Sequence, residues 1–596
     1  MSGRTSGRST ASRRWILAPA AAALAAMAVL GAQTPAPDPV MRAMQDEMER
    51  ARKITVANLE APYFIEYVMD EADTFTVSAS LGGLILRRRE RFREPDVHVR
   101  VGDYKFDNTN FAGGGFGLGG SRYDLERFPL ENSYPVLRRY LWLETDSAYK
   151  SAVEAISRKR AALRNLSQNG ELNDFAHAEP IHSVHPFHAL ELDENTWADK
   201  VRALSAVFAD YPEIKNSSVE LEASAGGYVV VNSEGTQVRE PENVVFLRAR
   251  AMAQAADGST LRDAVTFHAL DPMRMPPDSE MRSRVVDLAE HVVALSKAPK
   301  GEDYNGPVLF EGAAGAQVFA EVLGHNLSLI RRPATGGGRG GNVEPSELEG
   351  RLGARVLPES FDVVDDPTQT EWRGRPLFGS YTVDREGVPA KPLQLVQKGV
   401  LKGYLLTRQP VKGFDGSNGR ARLPGSYGAS TAGISNLFVS SSEGVAPAEL
   451  KKQLISLVQT RSLPYGILVR RMDFPSSASL EEARRLISSA QGSGHPVSVP
   501  ILAYKVYPDG REELVRDLRF RGFNARSLKD ILAAGNDSTV FDFMDSPAPF
   551  ALIGANPYTS EACVVAPSIL IDDMEMHPME EELPKLPVVP APELIP

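Results

Sequence analysis

Gly312-Ala313-Ala314-Gly315-Ala316-Gln317-Val318-Phe319-Ala320-Glu321-Val322-Leu323-Gly324-His325 opens a segment that reads, through residue 333, as one amphipathic helix. Zinc in a hydrolase takes three protein ligands and an open position for water, and a nearby carboxylate accepts the water proton. Glu321 and His325, four residues apart, lie on one face of such a helix and offer one carboxylate as general base and one imidazole as metal ligand. Position 320 is five residues from His325, roughly 140° around a regular helix, so the two share a metal only where the turn opens into a π-bulge. Gly324 suits that opening, but Ala320 carries no donor atom. On residue chemistry alone, Glu321 and His325 also read as an ordinary i, i+4 pair worth roughly a few tenths of a kcal/mol.

Working outward, Pro307-Val308-Leu309-Phe310 reads as a buried strand before the helix, and the glycine cluster 336–341 as a linker after it. The second half shows β patterning broken by Asp/Gly and Asn/Gly turns, with helices expected at 447–460 and 480–490. The first half predicts helices over 39–58, 146–166, 196–211 and 280–296. Between them lie strands at 63–71, 74–81, 83–92, 96–101, 218–223, 226–232, 237–240, 244–253 and 264–270. The fold class is therefore α+β in two parts: residues 38–300 with antiparallel strands, and residues 301–575 with a large curved antiparallel sheet. The acidic, proline-containing tail 576–596 reads as disordered.

Residues 1–37 read as an export signal. Arg13 and Arg14 precede an apolar run from Trp15 to Leu30, and small residues follow at Gly31-Ala32 and Thr34-Pro35-Ala36. Ser12-Arg13-Arg14-Trp15-Ile16-Leu17 has the form of a twin-arginine signal. The run is short for a span and no cysteine follows it closely, so the expectation is a periplasmic or extracellular protein without stable membrane insertion after cleavage. Loss of the signal's four arginines takes the net charge from -11 to -15. Such an acidic chain is a poor partner for nucleic acid. One cysteine excludes an internal disulfide framework.

Three other features have simple readings. Arg87-Arg88-Arg89-Glu90-Arg91 fits a solvent-facing or edge strand better than a ligand patch. Glycines in 113–120 lack the lysine of a phosphate loop and read as a flexible loop. His177, His182, His185 and His188 form the best alternative metal cluster, with a surface loop as the default because Pro186 breaks any helix there.

Gly379-Ser380-Tyr381, Asp384-Arg385-Glu386-Gly387-Val388-Pro389-Ala390, Leu395-Val396-Gln397-Lys398-Gly399-Val400-Leu401 and Ser417-Asn418-Gly419-Arg420-Ala421-Arg422 together resemble the TldD/PmbA family of metallopeptidase-related proteins. Ile434-Ser435-Asn436-Leu437-Phe438, Leu532-Ala533-Ala534-Gly535-Asn536-Asp537 and Ala566-Pro567-Ser568-Ile569-Leu570-Ile571 extend the likeness. Val101-Gly102-Asp103-Tyr104 and Asp107-Asn108-Thr109-Asn110-Phe111 are similar to an exported branch.

By that resemblance, the family's peptidase carries His-Glu-x-x-x-His on this helix and a distant cysteine ligand for zinc, whereas its partner subunit lacks the motif. Carried over, Ala320 takes the first ligand position, Glu321 the general base and His325 the second ligand. The cysteine position falls near Ile553-Gly554, and Cys563, about ten residues later, reads as a buried small hydrophobe in a strand. The resemblance further implies paired subunits whose sheets enclose a chamber for extended peptides. Two readings follow. One is a non-catalytic subunit without bound zinc, which binds peptide or unfolded polypeptide as a homo-oligomer or beside a TldD-like relative. The other is an active metallopeptidase using Glu321 and His325.

Overall fold

The computed structural model describes residues 38–112, 128–164, 172–335, 345–473, 497–545 and 560–579. The expected export signal, the loop 113–120, the cluster 336–341, the helix 480–490, Ile553-Gly554 and the tail beyond 579 lie outside the described residues.

In the first half, strands β1 (Pro62–Ser80) and β2 (Gly83–Val101) form one long hairpin. Leu81 and Gly82 turn it, both at positive φ, the geometry of a two-residue hairpin loop. The four short strands expected here are thus two long ones. Pro95, which looks like a break in the sequence, sits on an edge strand where a missing N–H removes no ladder bond. The short strand β3 (His182–Val184) is followed by β4 (Ile214–Asn232), β5 (Gln237–Gln254) and β6 (Thr260–Ala269). The sheet order is β2-β1-β4-β5, with β3 and β6 both on the outer side of β5. Gly226 and Gly227 lie where β1 and β5 crowd β4. A Cβ there would meet Glu71 O at 1.9 Å and Glu240 O at 2.0 Å, so only glycine fits.

Strand alternation sorts the two faces. Ile65, Tyr67 and Met69 pack under α1 (Pro39–Ala51) and α2 (Tyr134–Leu163), while Phe75, Val77 and Ala79, of the same parity, pack under α3 (Glu194–Ala206) and α4 (Asp278–Lys297). Helix α2 begins twelve residues before its expected start, because Leu137 and Leu141 continue the buried stripe of Thr145, Tyr149, Ala152 and Ile156. The opposite face, with Val68, Tyr228 and Val230, meets Val383 of the second half. Arg87 to Arg91 lie exposed on edge strand β2. No helix among the described residues is long and apolar enough to cross a membrane.

The second half begins with β7 (Tyr304–Phe310) and the helix α5 (Ala313–Val318). The strands that follow are β8 (Phe361–Asp365), β9 (Leu393–Gln397), β10 (Val400–Leu401), β11 (Asn436–Ser441), β12 (Gly466–Met472), β13 (Pro500–Val506), β14 (Glu512–Val515), β15 (Leu518–Arg521), β16 (Ile531–Ala534), β17 (Thr539–Asp545), β18 (Ser560–Ala566) and β19 (Ile569–Pro578). They build two sheets, ordered β10-β9-β8-β11-β18-β17 and β14-β13-β12-β7-β19-β15 with β16 also on β19. Each is antiparallel apart from one parallel pair, β11 with β18 and β7 with β12. The α+β class stands, and the single large sheet expected is divided in two. Helix α6 (Pro447–Thr460) has the predicted bounds, and buries Leu450, Leu454 and Val458 at i, i+4 spacing.

Two expectations are corrected. The helix read through residue 333 ends at Leu327, because Leu405 takes the next segment into β pairing: its N–H donates to Leu327 O at 2.8 Å, and Ser328 bridges to it. Residues 576–578, expected in the tail, belong to β19, which runs to Pro578 and pairs His577 with Arg519.

Candidate functional site

The motif helix is set by groups distant in sequence. Gly312 stands before it at φ +57 and donates its N–H to Ser568 Oγ at 2.7 Å. Ser568 in turn donates to Asp537 Oδ2 at 2.6 Å. At Gly315 a Cβ would lie 2.6 Å from Pro567 O, so the helix rests directly on the β18–β19 turn. The stretches around Asp537 and Pro567-Ser568 therefore position this helix.

After α5, residues Phe319–Gly324 form a π-turn and His325–Leu327 a 3-10 turn. The i→i+5 pattern brings positions 320 and 325 toward a common face, the condition for a shared metal. Ala320 contributes only a methyl there. It is 3% exposed within the apolar core that contains Phe319, Val322 and Leu323.

Glu321 is half-buried and its carboxylate is fully engaged. Gln317 Nε2 donates to Oε1 at 2.8 Å, the Ser498 hydroxyl donates to Oε1 at 2.7 Å, and the Ser498 N–H donates to Oε2 at 2.8 Å. Burial pushes its pKa up to about 7; the bonds from Gln317 and Ser498 oppose that rise and the charge of Asp473 adds to it. Gln317 also donates to Asp473 O at 2.8 Å, and Asp473 pairs with Arg262 of the first half. Burial lowers His325 to about 4, so its imidazole is neutral near pH 7.

Zinc needs a third donor, and the described residues do not converge on one: no three His, Cys, Asp or Glu side chains among them form a metal-holding group. Alternation along β18 explains the place of Cys563. Ala562, Val564 and Ala566 face the core that holds Ala320, whereas Cys563 and Val565 face Leu377, Phe378 and Val540 on the other side. The thiol is buried and held well above its ordinary range, first by burial and then by Asp542. His177, His182, His185 and His188 are all exposed and form no such group. The donor set of the described residues does not fit zinc.

The remaining signature stretches build scaffold. Arg420 and Asp365 form a fully buried ion pair at 2.6 Å, and Ser435 donates its hydroxyl to the same carboxylate at 2.7 Å. Arg385 crosses to the first half, pairs with Asp70 and Glu242, and lies 4.7 Å over the Tyr228 ring. Asp384 accepts N–H groups from Glu386, Val388 and Ala421, which fixes the turn that presents Arg385. Sequence reading missed Gln317 and Ser498. Gln317 was findable, one turn before Glu321 on the same helix; Ser498 comes from a distant segment with no local signal.

Fold and site together define a two-part α+β protein with a π-turn that carries the buried Ala320, the engaged Glu321 and, just after it, His325. Residues 303–473 match the PmbA/TldA metallopeptidase C-terminal domain. A metalloprotease of Archaeoglobus fulgidus is 41% identical over 148 residues, 24% of this chain and 30% of that protein. One from Methanothermobacter thermautotrophicus is 28% identical over 199 residues, 32% and 38% of the two chains. The matches thus span about a third of those relatives. Among solved structures, TldE from Thermococcus kodakarensis shares the fold at TM-score 0.54 and 12% identity, over 90% of this chain and 99% of that one. A candidate modulator of a DNA gyrase from Thermotoga maritima aligns at TM-score 0.54 and 14% identity with the same coverage. The domain match, the relatives and the shared fold support the PmbA/TldD family for this chain.

Proposed function

We propose that this protein is an exported PmbA/TldD-type subunit that binds short or unfolded peptides without hydrolysing them, as a homo-oligomer or beside a relative carrying the full motif. The observation that carries this reading is Ala320, a buried methyl on the π-turn where a ligand would be required. The engaged Glu321 carboxylate and Cys563, buried on the sheet face turned away from Ala320, support it. In this reading residues 1–37 are removed on export, and 38–300 and 301–575 are the two working regions.

A second reading, hydrolysis with Glu321 as base and His325 as ligand, draws on the retained π-turn and on the carboxyl held near pH 7. Incubation of the purified chain with a quenched fluorescent casein digest separates the two. Binding without cleavage supports the first, whereas cleavage abolished by Glu321→Gln supports the second and overturns the first.

A further inference from the structure

A cavity of about 480 Å³ lies between the halves, beside the start of the motif helix. Every residue from Ala264 to Leu270 lines it, and so does every residue from Thr539 to Asp542. Consecutive lining residues mark a cleft that runs along the edge of a strand, since one face would supply alternate residues only. Both strands are at the end of a sheet: β6 pairs only with β5, and β17 only with β18. Unpaired strand edges offer N–H and C=O groups to another extended chain.

The wall also contains polar atoms without partners. His268 Nε2 and Asp542 Oδ1 are buried and make no hydrogen bond, which is costly unless something occupies the cleft. Arg375 is paired with Asp542, and Arg471 with Asp263. Arg274 and Arg284 are exposed at the cleft and carry no ion pair among the described residues; Glu280 is the unpaired carboxylate beside them. The cleft therefore joins two strand edges to a pair of free guanidinium groups, which suit a carboxylate.

We propose that this cleft binds an extended peptide, its main chain along the edge of β6 and its C-terminal carboxylate on Arg274 and Arg284. This rests on the peptide-binding reading above and names where and by which end the peptide is held. Six residues of β6 edge, Ala264 to Ala269, span on the order of 20 Å, room for about five peptide residues.

The test uses fluorescence anisotropy with fluorescein-labelled Gly-Ala-Val-Ala-Val-Ala, as free acid and as C-terminal amide, on the full exported chain. The acid is expected to bind at least tenfold more tightly than the amide. The double variant Arg274→Ala, Arg284→Ala should erase that preference while keeping the amide's affinity and the wild-type melting temperature. N-methylation at alternate peptide residues should weaken both forms at least tenfold. Equal binding of acid and amide, or a preference that survives the double variant, overturns this site while leaving peptide binding intact. No binding of either form at millimolar protein overturns both.

Discussion

Ser498 grips Glu321 twice, its N–H 2.8 Å from Oε2 and its hydroxyl 2.7 Å from Oε1. The two residues are 177 positions apart in the chain. A carboxylate held this way serves as an internal tie between the motif helix and the segment that leads into β13.

That tie has a pH signature. Burial raises Glu321 to about 7, so the native state keeps its proton over a range in which the unfolded chain has lost it. Its contribution to stability is fully present below the ordinary carboxyl range and is lost as pH rises through about 7. Glu321→Gln, permanently uncharged, should remove up to about 3 kcal/mol of the loss between pH 5 and pH 8, measured by urea unfolding at both. Glu242 and Asp384, also raised chiefly by burial, remain in the variant, so the slope should be reduced and not abolished.

Ala320→His restores the missing imidazole in a packed core. The added ring should cost about 1–3 kcal/mol by overpacking, seen as a lower melting temperature. Zinc should not restore the loss, because the third donor is still lacking among the described residues. Zinc-dependent recovery of stability would contradict this.

Arg385 joins the halves through Asp70 and Glu242. Arg385→Ala leaves the buried Asp70 and the half-buried Glu242 without their cation and should destabilise the chain by about 3–5 kcal/mol. Denaturant unfolding should show this as a shifted midpoint. A shift below about 1 kcal/mol would mean that the junction is held by its apolar contacts.

Gly315→Ala places a methyl carbon 2.6 Å from Pro567 O. The helix must move off the β18–β19 turn, at about 1–3 kcal/mol, and the Gly312–Ser568 hydrogen bond should weaken with it. Faster hydrogen exchange at the Gly312 amide is the direct readout.

Local pattern made part of this legible. Helix α6 has the expected bounds because Leu450, Leu454 and Val458 repeat at helical spacing and Pro447 starts it. The condition on positions 320 and 325 followed from helix geometry, and the π-turn meets it. The long hairpin was misread as four strands because local patterning breaks near residues 72–73 and 93–95, whereas pairing along the whole length of β1 and β2 carries both strands through. Residues after Leu327 keep helical periodicity in sequence but yield to pairing with Leu405, a contact no local window contains. The same holds for Ser498 and for the sheet face taken by Cys563, both set by long-range pairing.

The most direct test of the central claim is elemental analysis of the purified exported chain after dialysis against micromolar zinc. The account predicts zinc well below one atom per chain, unchanged by His325→Ala. One tightly held zinc per chain that disappears with His325→Ala would contradict it.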